Sequence, residues 1–249
     1  RLCRNGGILR AGLAFPSVRA EQYSSGKGRV RWNSSDAALS IRYCAKKEAD
    51  MGRIILFTGK GGVGKTTLCG LIIQYLGEQG KGPILAVDAD ANSNLNEVLG
   101  VEVEKTLGDV REEIARAEMA KESPIPPGVS KADYAEVQFQ NSLIEDDDFD
   151  MLVMGRTQGK GCYCYVNGLL QSQLTRLQKN YPFIIVDNEA GMEHISRGIL
   201  PSMETAILVS DCSRRGVQAA GRIAELIREC NMKPKTVGLI VNRAPNGEL

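Results

Sequence analysis

Gly59-Lys60-Gly61-Gly62-Val63-Gly64-Lys65-Thr66 is the stretch that decides the fold. Before it, Arg53-Ile54-Ile55-Leu56-Phe57-Thr58 is a short apolar run that reads as a buried strand. After it, Thr67 to Gly77 carries Leu68, Leu71, Ile72, Tyr75 and Leu76 at the i, i+3, i+4, i+7, i+8 spacing of a helix face. The octapeptide matches G-x-x-x-x-G-K-[ST] at every fixed position, and strand–loop–helix is the context that confirms the motif. Its glycines let backbone amides close around an anionic phosphate, and the helix N-terminus adds partial positive charge. The cradle runs from Gly59 through Thr67. Lys65 is expected to reach the terminal phosphates and the Thr66 hydroxyl to ligate Mg²⁺. A glycine-rich turn that binds nothing is the competing reading, and the full motif in context outweighs it.

Outward from this loop, strand-like runs recur at Ile84–Val87, Asp150–Met154, Phe183–Val186, Ala206–Val209 and Val237–Val241. Helical patterns lie between them near Leu107–Ala117, Ala132–Ile144, Leu169–Gln178 and Val217–Cys230. Such alternation predicts an α/β fold, a doubly wound, mostly parallel sheet with helices on both faces. Ser123–Gly128 reads as a loop and Glu145–Asp148 as a solvated acidic turn. No internal repeat is visible.

The 249 residues carry 31 basic and 30 acidic side chains, but the balance is a sum of unlike parts. Residues 1–50 hold ten Lys/Arg against four Asp/Glu, while residues 51–249 are net acidic. No apolar run approaches the ~20 residues of a membrane span. The N-terminal fifty residues lack a sustained period and contain Cys3, Cys44 and the only Trp, Trp32. Three readings compete for them: an Arg/Ser-rich transit peptide, a basic nucleic-acid arm, or translated upstream sequence. The last is favoured, because Lys47-Glu48-Ala49-Asp50 can be encoded by a purine-rich ribosome-binding sequence ahead of a start at Met51. Residues 1–50 are therefore expected to be a non-domain leader, and 51–249 a single domain. The chain ends soon after the last strand run, which suggests a truncated C-terminus.

Three further elements carry chemistry. Ile184-Ile185-Val186-Asp187 is a hydrophobic strand ending in Asp, the Walker B form, which makes Asp187 a second Mg²⁺ ligand. A carboxylate facing the γ-phosphate from a strand's end can position the attacking water, and Asp88 and Asp90 stand at such a place. Cys162-Tyr163-Cys164 supplies two thiols, too few to enclose a tetrahedral ion. A two-fold dimer doubles them, giving four thiolates suited to Zn²⁺, Ni²⁺ or an iron–sulfur cluster. Two buried inert cysteines and a redox pair are the alternatives. Cys69, Cys212 and Cys230 lack ligand spacing and read as structural.

With Lys60, the loop becomes K-G-G-x-G-K-T, which resembles the deviant Walker A of the MinD/ParA/nitrogenase-iron-protein class. That resemblance implies an ATP-dependent nucleotide-sandwich homodimer in which Lys60 reaches the partner's nucleotide. It also assigns the water-positioning role to Asp90, loop support to Asp88 and an adenine contact to Asn242 of Ile240-Val241-Asn242-Arg243. Gly159-Lys160-Gly161-Cys162-Tyr163-Cys164-Tyr165-Val166-Asn167, with Asp187-Asn188-Glu189-Ala190-Gly191-Met192-Glu193-His194 and Ser213-Arg214-Arg215, resembles CooC-type ATPases more narrowly. These are nickel-insertion accessory proteins of carbon monoxide dehydrogenase, with a branch serving acetyl-CoA synthase. The resemblance covers Met51 to Leu249. It implies a cytoplasmic ATPase using ATP and Mg²⁺, carrying Ni²⁺ or Zn²⁺ between two Cys162/Cys164 pairs, with neither nucleic acid nor membrane as partner. His194 is expected to couple or support rather than ligate. An electron-transfer protein with a bridging iron–sulfur cluster and a partition-type positioning ATPase are the alternatives.

Overall fold

Apolar runs of five to seven residues, too short for stable helices, lie between amphipathic stretches of ten to sixteen residues. Runs of that kind gain most by stacking side by side between two helical layers. The computed structural model describes residues 19–23, 52–90, 92, 94–119, 125–155, 164–188, 203–230 and 232–245. Its strands are β1 (Arg19–Tyr23), β2 (Arg53–Gly59), β3 (Ile84–Ala89), β4 (Ile144–Glu145), β5 (Phe149–Val153), β6 (Phe183–Asn188), β7 (Thr205–Asp211) and β8 (Thr236–Asn242). The described helices are α1 (Lys65–Glu78), α2 (Leu95–Leu99), α3 (Leu107–Met119), α4 (Lys131–Gln140), α5 (Cys164–Leu177) and α6 (Arg214–Glu229).

One sheet contains all eight strands in the order β1-β8-β7-β2-β6-β3-β5-β4. The six from β8 to β5 run parallel, and the antiparallel pairings are at the edges, β1 on β8 and β4 on β5. The α/β, mostly parallel fold read from the sequence is the fold observed. Alternate residues of each strand enter opposite cores. Phe57, Ala86, Val153, Ile185 and Val209 meet Cys69 and Ile73 of α1 and Leu95 of α2. On the other face Leu56, Val87, Leu152, Val186 and Leu208 meet Leu107, Phe139, Leu174, Ala220 and Ile223 from α3 to α6. β3 is buried at every position, which is why its sequence is a continuous apolar run up to Asp88.

The structure corrects several boundaries. The helix expected at Ala132–Ile144 ends at Gln140, where the buried Ser142 hydroxyl donates to the Phe139 carbonyl at 2.7 Å. Ile144 then pairs with Met151 as part of β4. α6 begins three residues before the expected Val217, because the Ser213 side chain accepts the Gly216 amide as an N-cap. Before Met51, where no element was expected, β1 lies antiparallel along β8. The rest of the expected leader, with Cys3, Trp32 and Cys44, lies outside the described residues, as does Met51, the first residue of the expected domain. No helix among the described residues is long and apolar enough to cross a membrane.

Because β2, β6 and β3 are parallel neighbours, their C-terminal ends converge on one edge. Loops leaving that edge carry the residues singled out above, the usual place for a ligand in an open α/β sheet.

Candidate nucleotide-binding site

The phosphate loop leaves β2 and enters α1 through Gly64, whose φ of +94° a glycine tolerates and side-chain-bearing residues rarely adopt. Val63 is buried and anchors the loop in the α1-side core, while Lys60, Gly61 and Gly62 face solvent. Lys65 is largely buried, and its Nζ donates to the Lys60 carbonyl at 3.4 Å, folding the side chain back over the loop. Thr66 lies on the first turn of α1, half-buried, and Thr67 beside it is exposed.

Two carboxylates stand next to one another at the strand ends, because Asp88 of β3 is the register partner of Asp187 of β6. Both are buried. Asp88 accepts the Asp90 amide on Oδ1 and the Leu95 amide on Oδ2, each at 3.0 Å, so it pins both ends of the segment from Asp90 to α2. Asp90 in turn accepts the Asn92 amide at 2.8 Å. This geometry matches the loop-supporting role read for Asp88. Asp187 sits against the Thr66 hydroxyl, under the influence of Lys65 and Asp90, and its Oδ1 is buried without a hydrogen-bond partner. A buried carboxylate oxygen left unpaired beside a hydroxyl is the oxygen donor set a hard cation such as Mg²⁺ takes.

Burial raises both acids. It holds the Asp187 carboxyl above its ordinary range, against lowering by Thr66 and Lys65. Asp88 is pushed from 3.8 to about 6, burial outweighing its two backbone donors. Since the folded value lies above the unfolded one, the native state holds this proton more tightly. Stability therefore falls as pH rises from about 4 to about 6 and levels off above that, with a slope of up to about 1.4 kcal/mol per pH unit. Asp88→Asn is expected to flatten that slope in thermal melts of the nucleotide-free protein, leaving the part due to Asp187. An unchanged slope would remove Asp88 as its source. Burial likewise pushes the Cys69 thiol up, with Asp187 and Asp88 adding to it, so Cys69 is a neutral core residue as read from its helix position.

Asn242, at the end of β8, donates from Nδ2 to the Val63 carbonyl at 2.9 Å. Its Oδ1 accepts the Arg243 amide at 2.9 Å. The carboxamide expected to face adenine thus engages the phosphate loop itself. The sequence reading missed Asp211 at the end of β7, whose carboxyl the Ser213 hydroxyl holds below its ordinary range, with Lys60 and Arg243 lowering it further. The signal available was Asp-x-Ser before a helix, a capping pattern. Cys162 and Glu189 to His194 lie outside the described residues, and Cys164 is described only as the first residue of α5. Among the described residues no cluster of His, Cys, Asp and Glu could hold a metal ion by itself.

A full phosphate loop on a central parallel strand, flanked by strand-end carboxylates, defines a P-loop NTPase of MinD/ParA-like fold. A family profile described as "AAA domain" matches residues 51–237, and the chain belongs to that family. An uncharacterised ATP-binding protein of Methanocaldococcus jannaschii is 44% identical over 190 residues, covering 76% of this chain and 74% of its own. The carbon monoxide dehydrogenase accessory protein CooC of Rhodospirillum rubrum is 30% identical over 218 residues, covering 78% and 81%. Among solved structures, the septum site-determining protein MinD of Pyrococcus horikoshii, complexed with Mg-ADP, superposes with a TM-score of 0.53 at 25% identity. That match covers 74% of this chain and 68% of that one. The chain is an ATPase of this group.

Proposed function

We propose that this ATPase is a metallochaperone: it binds nickel or zinc between Cys162/Cys164 pairs of two protomers and assists nickel insertion into carbon monoxide dehydrogenase or acetyl-CoA synthase. The observation that carries the reading is a nucleotide site at the sheet edge from which the chain runs on to α5, whose first residue, Cys164, is the second cysteine of the Cys-x-Cys motif. α5 begins with Cys164, in the connection that leaves the C-terminal end of β5, beside β3. The 30% identity to CooC over most of both chains supports the same client.

In this reading Lys65 neutralises the terminal phosphates, and Lys60 reaches across a homodimer to the partner's nucleotide. Thr66 and Asp187 would hold Mg²⁺, which would supply charge neutralisation to the bound phosphates. Asp90 orients the attacking water. ATP then couples to metal by favouring one dimer state over another, with the metal binding the two states unequally. The protein works in the cytoplasm, with neither nucleic acid nor membrane as partner.

The test is nickel binding and oligomeric state of anaerobically prepared protein with ADP and with ATP. Wild type is expected to bind about one ion per two chains. Cys162→Ser removes that site and the metal-dependent dimer while keeping ATP hydrolysis within about twofold, because the cysteine lies outside the phosphate-binding groups. Full nickel stoichiometry in Cys162→Ser would overturn the assignment, and a brown protein would favour the iron–sulfur alternative. The similarity to MinD favours a second reading, an intracellular positioning ATPase, for which neither metal binding nor Cys162 would matter.

A further inference from the structure

Asp187 and Asn188 are consecutive residues of β6, so their side chains point to opposite faces of the sheet. Asp187 lies on the α1 side, against Thr66 and Cys69. Asn188 lies on the other side, with the layer of α3 to α6, because Val186 two residues earlier packs there. β2 behaves alike: Leu56 packs on the α3–α6 side, and Thr58 follows it on that face. Phe57 is the register partner of Asp187, which makes Thr58 and Asn188 the next pair along the two strands.

One row across the sheet therefore reads Leu208, Thr58, Asn188, Ala89, from β7 through β2 and β6 to β3. Its two middle members are polar and sealed off: Thr58 is 0% exposed and Asn188 3%. The Thr58 hydroxyl oxygen and Asn188 Nδ2 are both buried without a hydrogen-bond partner among the described residues. Leu208 and Ala89 flank the pair in the row, and Leu56 and Val186 lie one step below it, so none of these four side chains can meet a polar group. A buried polar group left unpaired costs free energy that a methyl group in its place does not. The two orphans are complementary. Nδ2 can only donate and a hydroxyl oxygen can accept, and neighbouring strands stand about 4.8 Å apart, within reach of one side-chain hydrogen bond.

We propose that Thr58 and Asn188 are positioning residues for ATP binding: Asn188 Nδ2 donates to the Thr58 hydroxyl oxygen when nucleotide is bound, and this cross-strand bond fixes the end of β2 against the end of β6. Those two ends lead straight into the nucleotide groups. Gly59, which opens the phosphate loop, follows Thr58, and Asp187 precedes Asn188. A ligand held between the loop and Asp187 spans, on one face, the same two strand ends that the pair spans on the other. Each favours the spacing the other needs, and the coupling is reciprocal. The inference rests on Asp187 acting with the phosphate loop on Mg·nucleotide and is independent of the cysteine pair.

The test compares Thr58→Val, Thr58→Ser, Asn188→Leu and the Thr58→Val/Asn188→Leu double variant with the wild-type chain, by Mg·ADP calorimetry, ATP turnover and thermal melts without nucleotide. Thr58→Val trades the hydroxyl for a methyl of like size. It is expected to raise the melting midpoint by about 2–4 °C, since a buried unpaired hydroxyl is gone, yet to weaken Mg·ADP binding by about fivefold to tenfold. KM for ATP rises by the same factor and kcat stays within about twofold, because the bond acts on bound nucleotide throughout. Thr58→Ser keeps the hydroxyl and loses a buried methyl, so it melts below wild type while binding Mg·ADP within about twofold of it. Stability and affinity thus move in opposite directions, which a purely structural role does not produce. The double variant is expected to bind no more weakly than the weaker single variant, since one bond is lost only once. Losses that multiply would overturn the pairing. Unchanged Mg·ADP affinity in Thr58→Val, or affinity that follows stability in both Thr58 variants, would overturn the proposal without recourse to Asn188→Leu. Wild-type ADP binding indifferent to Mg²⁺ would instead overturn the reading of Asp187, and the proposal with it.

Discussion

Lys65→Ala is expected to bring Mg·ATP binding down by at least about a hundredfold and to leave phosphate release undetectable above background. Removing one preorganised cationic contact from a transferring phosphoryl group costs of order 10²–10³ in rate. Lys65 also lowers the Asp187 carboxyl, against the burial that raises it, so the substitution removes an opposite charge from that acid as well. The fold is expected to survive, since the only described hydrogen bond lost is the one from Nζ to the Lys60 carbonyl. Lys65→Arg is no rescue, because a planar fork cannot follow a point-charge ammonium into the loop. Titration calorimetry with Mg·ATP and a phosphate-release assay check both parts, and hydrolysis within tenfold of wild type would refute the loop assignment.

Gly59→Ala has the largest expected effect on stability. Gly59 is the last residue of β2 and is paired in register with Val209 of β7. A Cβ at Gly59 would stand 2.1 Å from the Val209 carbonyl oxygen, a backbone atom that can move only by opening the sheet at its centre. A clash of that kind costs about 3 kcal/mol or more. For a chain of this size that lowers the thermal midpoint by roughly 6–12 °C. Nucleotide binding falls with it, since the same displacement carries off the start of the phosphate loop. Gly62 is the contrast: a Cβ there meets nothing within 4 Å, so Gly62→Ala pays only for its φ of +76°, about 1–2 kcal/mol. Scanning calorimetry of the two variants distinguishes a clash from conformational strain.

What the sequence announced and what it hid divide along physical lines. The phosphate loop was legible because its glycines, Lys65 and Thr66 act through local backbone geometry. The parallel sheet was legible because strands buried on both faces must be apolar at successive positions, as β3 is. α2, with five residues, is too short for a helical period to register. β4 has two residues and β1 joins through backbone pairing, which leaves no side-chain pattern to read. The start of α6 at Ser213 could have been read from its capping side chain and was not. Asn242 was placed near the nucleotide by resemblance to relatives, but its bond to Val63 depends on where two distant segments finish. No window of sequence contains that information.

The strand order also sets a timetable for the molecule as it is made. β2 emerges from the ribosome ahead of all the other parallel strands, yet its two neighbours, β6 and β7, follow it by roughly 120 residues or more. During that interval β2 and the glycine loop that follows it have no lateral partner. Such a delay exposes a nascent chain to aggregation and to chaperones. The Asn242 contact comes last of all, with the end of β8. A chain released before Asn242 would carry the complete loop motif without the contact that ties it to β8.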